Sequence, residues 1–131
     1  MKTLGVCFGS TTMQCVELAI NSGVKEVVNT VRIPHEGNPR ESFLNFMKSV
    51  DKDTKVVVTG RAFRKSVALS SIAEPEAIEC ALKEQYRKGQ FPGLVISSGG
   101  ETQLVYTING DGGISAVHSG NKCASGTGEF F

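Results

Sequence analysis

Gly5-Val6-Cys7-Phe8-Gly9-Ser10-Thr11-Thr12 decides how the rest of the chain is read. Thr3–Phe8 is a short apolar run that stops at a glycine, the pattern of a buried strand, and Gly9-Ser10-Thr11-Thr12 is a turn. Beyond it, Met13–Ile20 reads as a second strand, Asn21-Ser22-Gly23 as the next turn, and valine-rich Val24–Ile33 as a third strand. Two hairpins in succession predict a small antiparallel meander.

Further along, Asn38-Pro39-Arg40-Glu41 is a helix start: Asn caps, Pro suits the first helical position and Glu41 can reach back. Phe43, Phe46, Met47 and Val50 share the face of that helix. Lys55–Thr59 reads as a strand buried on both sides, and a second helix is expected from about Pro75 to Lys88, turning Ile78, Ala81, Leu82 and Gln85 inward. Leu94–Ser97 is expected to be another buried strand, followed by Gly99-Gly100. Leu104–Ile108 and Ile114–His118 flank Asn109-Gly110-Asp111-Gly112-Gly113, a strong hairpin signal, and the segment from Ala124 onward reads as helical. An antiparallel meander joined to further strands through crossover helices predicts an α/β fold with a mixed sheet.

The totals narrow the function. The chain has 131 residues and a net charge of +1, with Lys and Arg scattered, so a polyanion-binding surface for nucleic acid is not expected. No apolar run approaches the roughly 18–20 residues of a membrane span. The N-terminus enters a strand at once without a signal-peptide pattern, and the expected compartment is the cytoplasm. Four cysteines, Cys7, Cys15, Cys80 and Cys123, form no CxxC pair and no disulfide-like spacing. There is no internal boundary, so one lobe over residues 1–131 is expected. Its end at Gly128-Glu129-Phe130-Phe131, just as a helix begins, suggests a piece of a longer protein.

Two glycine-polar turns carry the candidate chemistry: Gly9-Ser10-Thr11-Thr12 and Ser97-Ser98-Gly99-Gly100-Glu101-Thr102. Each follows a strand, and backbone N–H groups beside hydroxyls in such turns can cradle phosphate oxygens. No GxxxxGK[ST] loop occurs. With Thr59-Gly60-Arg61 and Asn121-Lys122-Cys123-Ala124-Ser125-Gly126-Thr127-Gly128-Glu129-Phe130, these turns resemble the actin/heat-shock-ATPase/sugar-kinase superfamily. The chain most resembles its BadF/BadG/BcrA/BcrD branch, the activators of 2-hydroxyacyl-CoA dehydratases, and matches the first half of that fold.

The resemblance implies an RNase H-like (actin-like ATPase) lobe, a mixed five-stranded sheet in the order 3-2-1-4-5 with an added hairpin. It implies ATP or ADP with Mg on Gly9, Ser10, Thr11, Thr12, Ser97, Gly99, Gly100 and Glu101. It further implies a homodimer holding one 4Fe–4S cluster, an anaerobic setting, and a 2-hydroxyacyl-CoA dehydratase or further domains of the parent chain as partners. Cys123 matches the first cluster cysteine, and a thiolate at a helix N-terminus beside Lys122 is physically suited to that role; a buried capping cysteine is the other reading. Cys80 stands near the place of the second, where a small core residue would also serve.

The departures are specific. The carboxylates of the two phosphate motifs are replaced by Cys7 and Ser97, and the Lys that often follows the first motif is Gln14. Mg²⁺ wants hard oxygen ligands, so the site is expected to be weakened, with Glu101 as the nearby acid; no catalytic residue is assigned. Besides an ATP-dependent activator, a non-hydrolysing dimerisation or docking module and a fragment of a sugar or acetate kinase remain open. His35 and His118 have no partner motif, and Arg61, Arg64 and Lys65 form a small basic group.

Overall fold

A computed structural model describes residues 1–61, 64–100 and 102–120. The chain forms two compact units, Met1–Glu74 and Pro75–Phe131.

In the first unit, β1 (Lys2–Phe8), β2 (Thr12–Asn21) and β3 (Val24–Pro34) make the expected meander, α1 (Pro39–Met47) follows, and β4 (Lys55–Thr59) returns parallel to β1. The sheet order is β3-β2-β1-β4. Ser22 and Gly23 both take positive φ, 50° and 80°, so the β2–β3 turn has the twist that suits a two-residue hairpin. Alternate residues of β1, Leu4, Val6 and Phe8, join Met13, Cys15, Phe43 and Val58 in the core. Each such side chain contributes about 1.5–3 kcal/mol on burial. The rings of Phe8 and Phe43 meet edge to face with centroids 5.5 Å apart, pinning α1 to the sheet. Asn38 caps α1 as expected: its Oδ1 accepts from the Glu41 amide at 3.3 Å and its Nδ2 donates to the Glu41 carboxylate at 2.6 Å.

The expected order 3-2-1-4-5 holds only through β4. The outer edge of β4 is taken by residues 70–72: Val58 N–H donates to Ser70 O at 2.9 Å, and Ile72 N–H donates to Val58 O at 3.0 Å. The fifth strand, β5 (Leu94–Ser98), pairs instead with β6 (Gln103–Ile108), and β6 with β7 (Ile114–Ser119), in a second, antiparallel sheet.

In the second unit, Leu82, Tyr106 and Ile108 form a small core with Ile78, Tyr86, Phe91, Val95, Leu104 and Ile114 around it. Helix α2 (Glu74–Gln85) turns Ile78 and Leu82 inward as expected, but Ala81 and Gln85 are exposed and Tyr86 packs in their stead. The chain stops being helical three residues early, in a turn where Gly89, at φ +82°, donates its N–H to Tyr86 O. Neither Lys55–Thr59 nor Leu94–Ser97 is buried on both sides. Val57, Leu94 and Ile96 are exposed, so these strands alternate. In the β6–β7 loop, the Gly113 N–H donates to the side chains of Asn109 and Asp111, and Gly112 lies so close to the Phe91 ring that a Cβ would stand 2.6 Å from it.

Candidate functional site

The two glycine-polar turns share one geometry. Gly9 N–H donates to Thr12 O at 2.9 Å, and Gly99 N–H donates to Thr102 O at 2.9 Å. Each bond closes a turn directly after a strand, with Ser10-Thr11 at the tip of the first. Gly9 is required for this closure, since a Cβ there would lie 2.8 Å from Thr12 O. Among the described residues, no backbone carbonyl accepts from the amides of Ser10 or Thr11, and Thr11 is exposed. Exposed amides flanked by hydroxyls are the groups that hold phosphate oxygens. Ser97, Gly99 and Gly100 lie at or beside the second turn, whereas Glu101 is outside the described residues.

At the first turn the surroundings go beyond what the sequence suggests. Cys7 and Thr59 are partners across the parallel β1–β4 ladder, so their side chains share a face at the C-terminal ends of two parallel strands. Gly60 takes φ +119°, and a Cβ on it would stand 2.3 Å from Phe8 O, so the chain after β4 can hug β1 only through a glycine. That approach brings Arg61 to β1, where Arg61 Nε and Glu74 Oε2 form an ion pair at 2.8 Å. Burial pushes the Cys7 thiol above the ordinary range; the Glu74 carboxylate pushes the same way, and Arg61 pulls against both. Cys7 is therefore a neutral thiol at neutral pH.

Glu74, the first residue of α2, is a carboxylate close enough to act on Cys7, where the resemblance calls for an acid. The hydroxyl of Thr59 is buried with no hydrogen-bond partner among the described residues. These residues fit a phosphoryl group better than its metal. Amides and hydroxyls of the turn could hold phosphate oxygens, but beside Cys7 the hard ligands for a cation among the described residues are Glu74, already paired with Arg61, and the Thr59 hydroxyl. Among the described residues no group of three His, Cys, Asp or Glu side chains gathers as a metal site.

Cys80 lies exposed on α2 and thus is not the small core residue that its helix position also allowed. Cys123 and the whole Asn121–Phe130 motif lie outside the described residues. His118 is exposed near the end of β7, while His35 is buried under the first turn.

The fold is of the actin-like class. No family model matches the sequence, and no curated protein does. Solved structures do. The activator of the 2-hydroxyisocaproyl-CoA dehydratase from Clostridium difficile, with bound ADPNP, matches with a TM-score of 0.64 at 22% identity, over 95% of this chain and 47% of that one. The Aquifex aeolicus PPX-GPPA enzyme matches with a TM-score of 0.56 at 13% identity, over 91% of this chain and 52% of that one. The ethanolamine utilization protein EutJ from Carboxydothermus hydrogenoformans gives a TM-score of 0.54 at 14% identity, over 92% and 52%. The chain thus spans about half the length of these structures, between 47% and 52%. No helix among the described residues is long and apolar enough to cross a membrane.

Proposed function

We propose that residues 1–131 are the N-terminal lobe of a cytoplasmic, ATP-dependent activator that delivers electrons to a 2-hydroxyacyl-CoA dehydratase or a related CoA enzyme. The observation that carries this reading is the closed glycine-to-threonine turn made twice, at Gly9–Thr12 and Gly99–Thr102. The likeness in fold to a dehydratase activator with bound ADPNP supports it. In this reading Ser10, Thr11 and Thr12 hold phosphate oxygens through amides and hydroxyls, and Ser97, Gly99, Gly100 and Glu101 do the same at the second turn. Arg61 adds positive charge beside the first turn, and Glu74 stands in for the acid missing at Cys7. Bound Mg would neutralise phosphate charge, on a weakened ligand set. Cys123 and the exposed Cys80 would supply thiolates to an iron–sulfur cluster shared across a homodimer.

One observation favours a second reading, a non-hydrolysing docking module of a larger activase: the neutral Cys7 thiol occupies the carboxylate's place. Phosphoryl transfer depends on charge compensation, and a thiol supplies none.

Mg-ATP binding and turnover by the parent protein, encoded by the gene continued past Phe131, separate the two. Turnover that falls on changing Thr11→Val and Glu74→Gln supports the activator. A folded parent that binds no nucleotide at millimolar concentration leaves the docking module. Anaerobic reconstitution with iron and sulfide adds an independent readout, since thiolate-ligated clusters absorb at roughly 400 nm.

A further inference from the structure

Beneath the Gly9–Thr12 turn lies His35, the one buried polar side chain in the core of the described residues, only 2% exposed. Burial of an imidazole is costly unless its nitrogens are satisfied, and here both are. The Gly37 N–H donates to Nδ1 at 3.2 Å, and Nε2 lies 2.9 Å from Gly9 O. An amide can only donate and a carbonyl can only accept. The ring is therefore the tautomer with its proton on Nε2, donating to Gly9 O. The main chain of the same residue grips the turn again: His35 N–H donates to Thr11 O at 3.1 Å, while His35 O accepts from Asn38 N–H at 2.6 Å. That last bond ties the grip to the capped start of α1. Gly37 reaches the ring at φ +82°, a conformation open to glycine.

The consequence follows from peptide geometry. In a planar trans peptide, a carbonyl and the N–H of the next residue point in opposite directions. Holding Gly9 O toward the ring turns the Ser10 N–H away from it, and holding Thr11 O toward the His35 amide does the same for the Thr12 N–H. We infer that His35 is a positioning residue of the nucleotide site: its ring aims the Ser10 amide, and its backbone the Thr12 amide, at a phosphoryl oxygen. The inference rests on the nucleotide reading above, and its geometric half can be tested apart from it.

Two substitutions divide the ring's hydrogen bonds. His35→Asn keeps an acceptor at the Nδ1 position for Gly37 and loses the donor to Gly9. His35→Gln keeps a donor at the Nε2 position and loses the acceptor. Backbone ¹H–¹⁵N spectra of the chain and its variants read the turn directly, and ADP titration of the parent protein, encoded by the gene continued past Phe131, reads the site. The Asn variant should shift the Ser10 amide, leave the Thr12 amide in place, and weaken ADP by about tenfold. The Gln variant should keep both amides and bind within about twofold of the parent, although the two variants lose comparable thermal stability.

Equal loss of ADP affinity in both variants, or an unmoved Ser10 amide in the Asn variant, would overturn the inference. If the unchanged parent protein binds no ADP, the nucleotide reading fails, while the amide shifts still decide the geometry. Should the Asn variant not fold, ¹⁵N spectra of the unchanged imidazole decide: a proton on Nε2 is expected, and one on Nδ1 overturns the assignment.

Discussion

At the scale of single residues, the sharpest constraint is Gly60. Its φ of +119° is costly for any other residue, and the space for a Cβ is already filled by Phe8 O. Gly60→Ala should cost about 2–4 kcal/mol in urea unfolding. A loss under about 0.5 kcal/mol would mean that the strand ends can part without consequence. Cys15 gives a second prediction, in pH. Burial raises its thiol from the ordinary 9.0 to about 11. Between those values the folded chain holds a proton that the unfolded chain has released, so stability is complete below pH 9.0 and lost as pH rises toward about 11. Cys7 shifts in the same direction. The loss from Cys15 should approach about 2–3 kcal/mol, and Cys15→Ala should flatten the slope; an unchanged slope would contradict it. Exposure also ranks the thiols for alkylation. Among the three cysteines of the described residues, Cys80 should react first in native protein, with Cys7 and Cys15 much slower, as peptide mapping would reveal.

At the scale of elements, the start of α1 supports both the helix and the turn before it. Asn38→Ala removes the side-chain acceptor of the Glu41 amide, and about 1 kcal/mol should go with it. A midpoint unchanged in urea would mean that the cap contributes nothing. Elements such as this were legible in the sequence because their signals are local. The cap is a four-residue pattern, the hairpins have glycine at their tips, and the phosphate turns follow apolar runs. The site around them was less legible. His35 meets Gly9 across 26 positions and binds a backbone carbonyl, which leaves no trace in residue type. Glu74 reaches Arg61 across 13 positions, and only the folded chain brings that pair to Cys7. The inward side of α2 was misjudged at Ala81 and Gln85 because a small or long neutral residue carries little periodic signal, whereas Tyr86, past the end of the helix, does the packing. The place of β5 failed for another reason: periodicity identifies a strand but not its neighbour, and the segment 70–72 that occupies β4 has no strand signature.

For the whole molecule, net charge is the governing quantity. With +1 at neutral pH and a pI near 7.7, the chain has little self-repulsion to offset its exposed valines and isoleucine on the strands. Light scattering across a pH series should find the lowest solubility close to pH 7.7 and recovery about 1.5 units to either side; a minimum elsewhere would show that charge is not in control. In the first unit, the way such contacts can grow is set by its sheet. Its β4 side is closed at Val58 by residues 70–72, and β3, with Val24, Val27 and Val28 exposed, is the outer strand on the other side. A ribbon with one open margin can accept one more copy of itself, and then neither has a margin left. Joining through that sheet alone is self-limiting, because it ends at a pair.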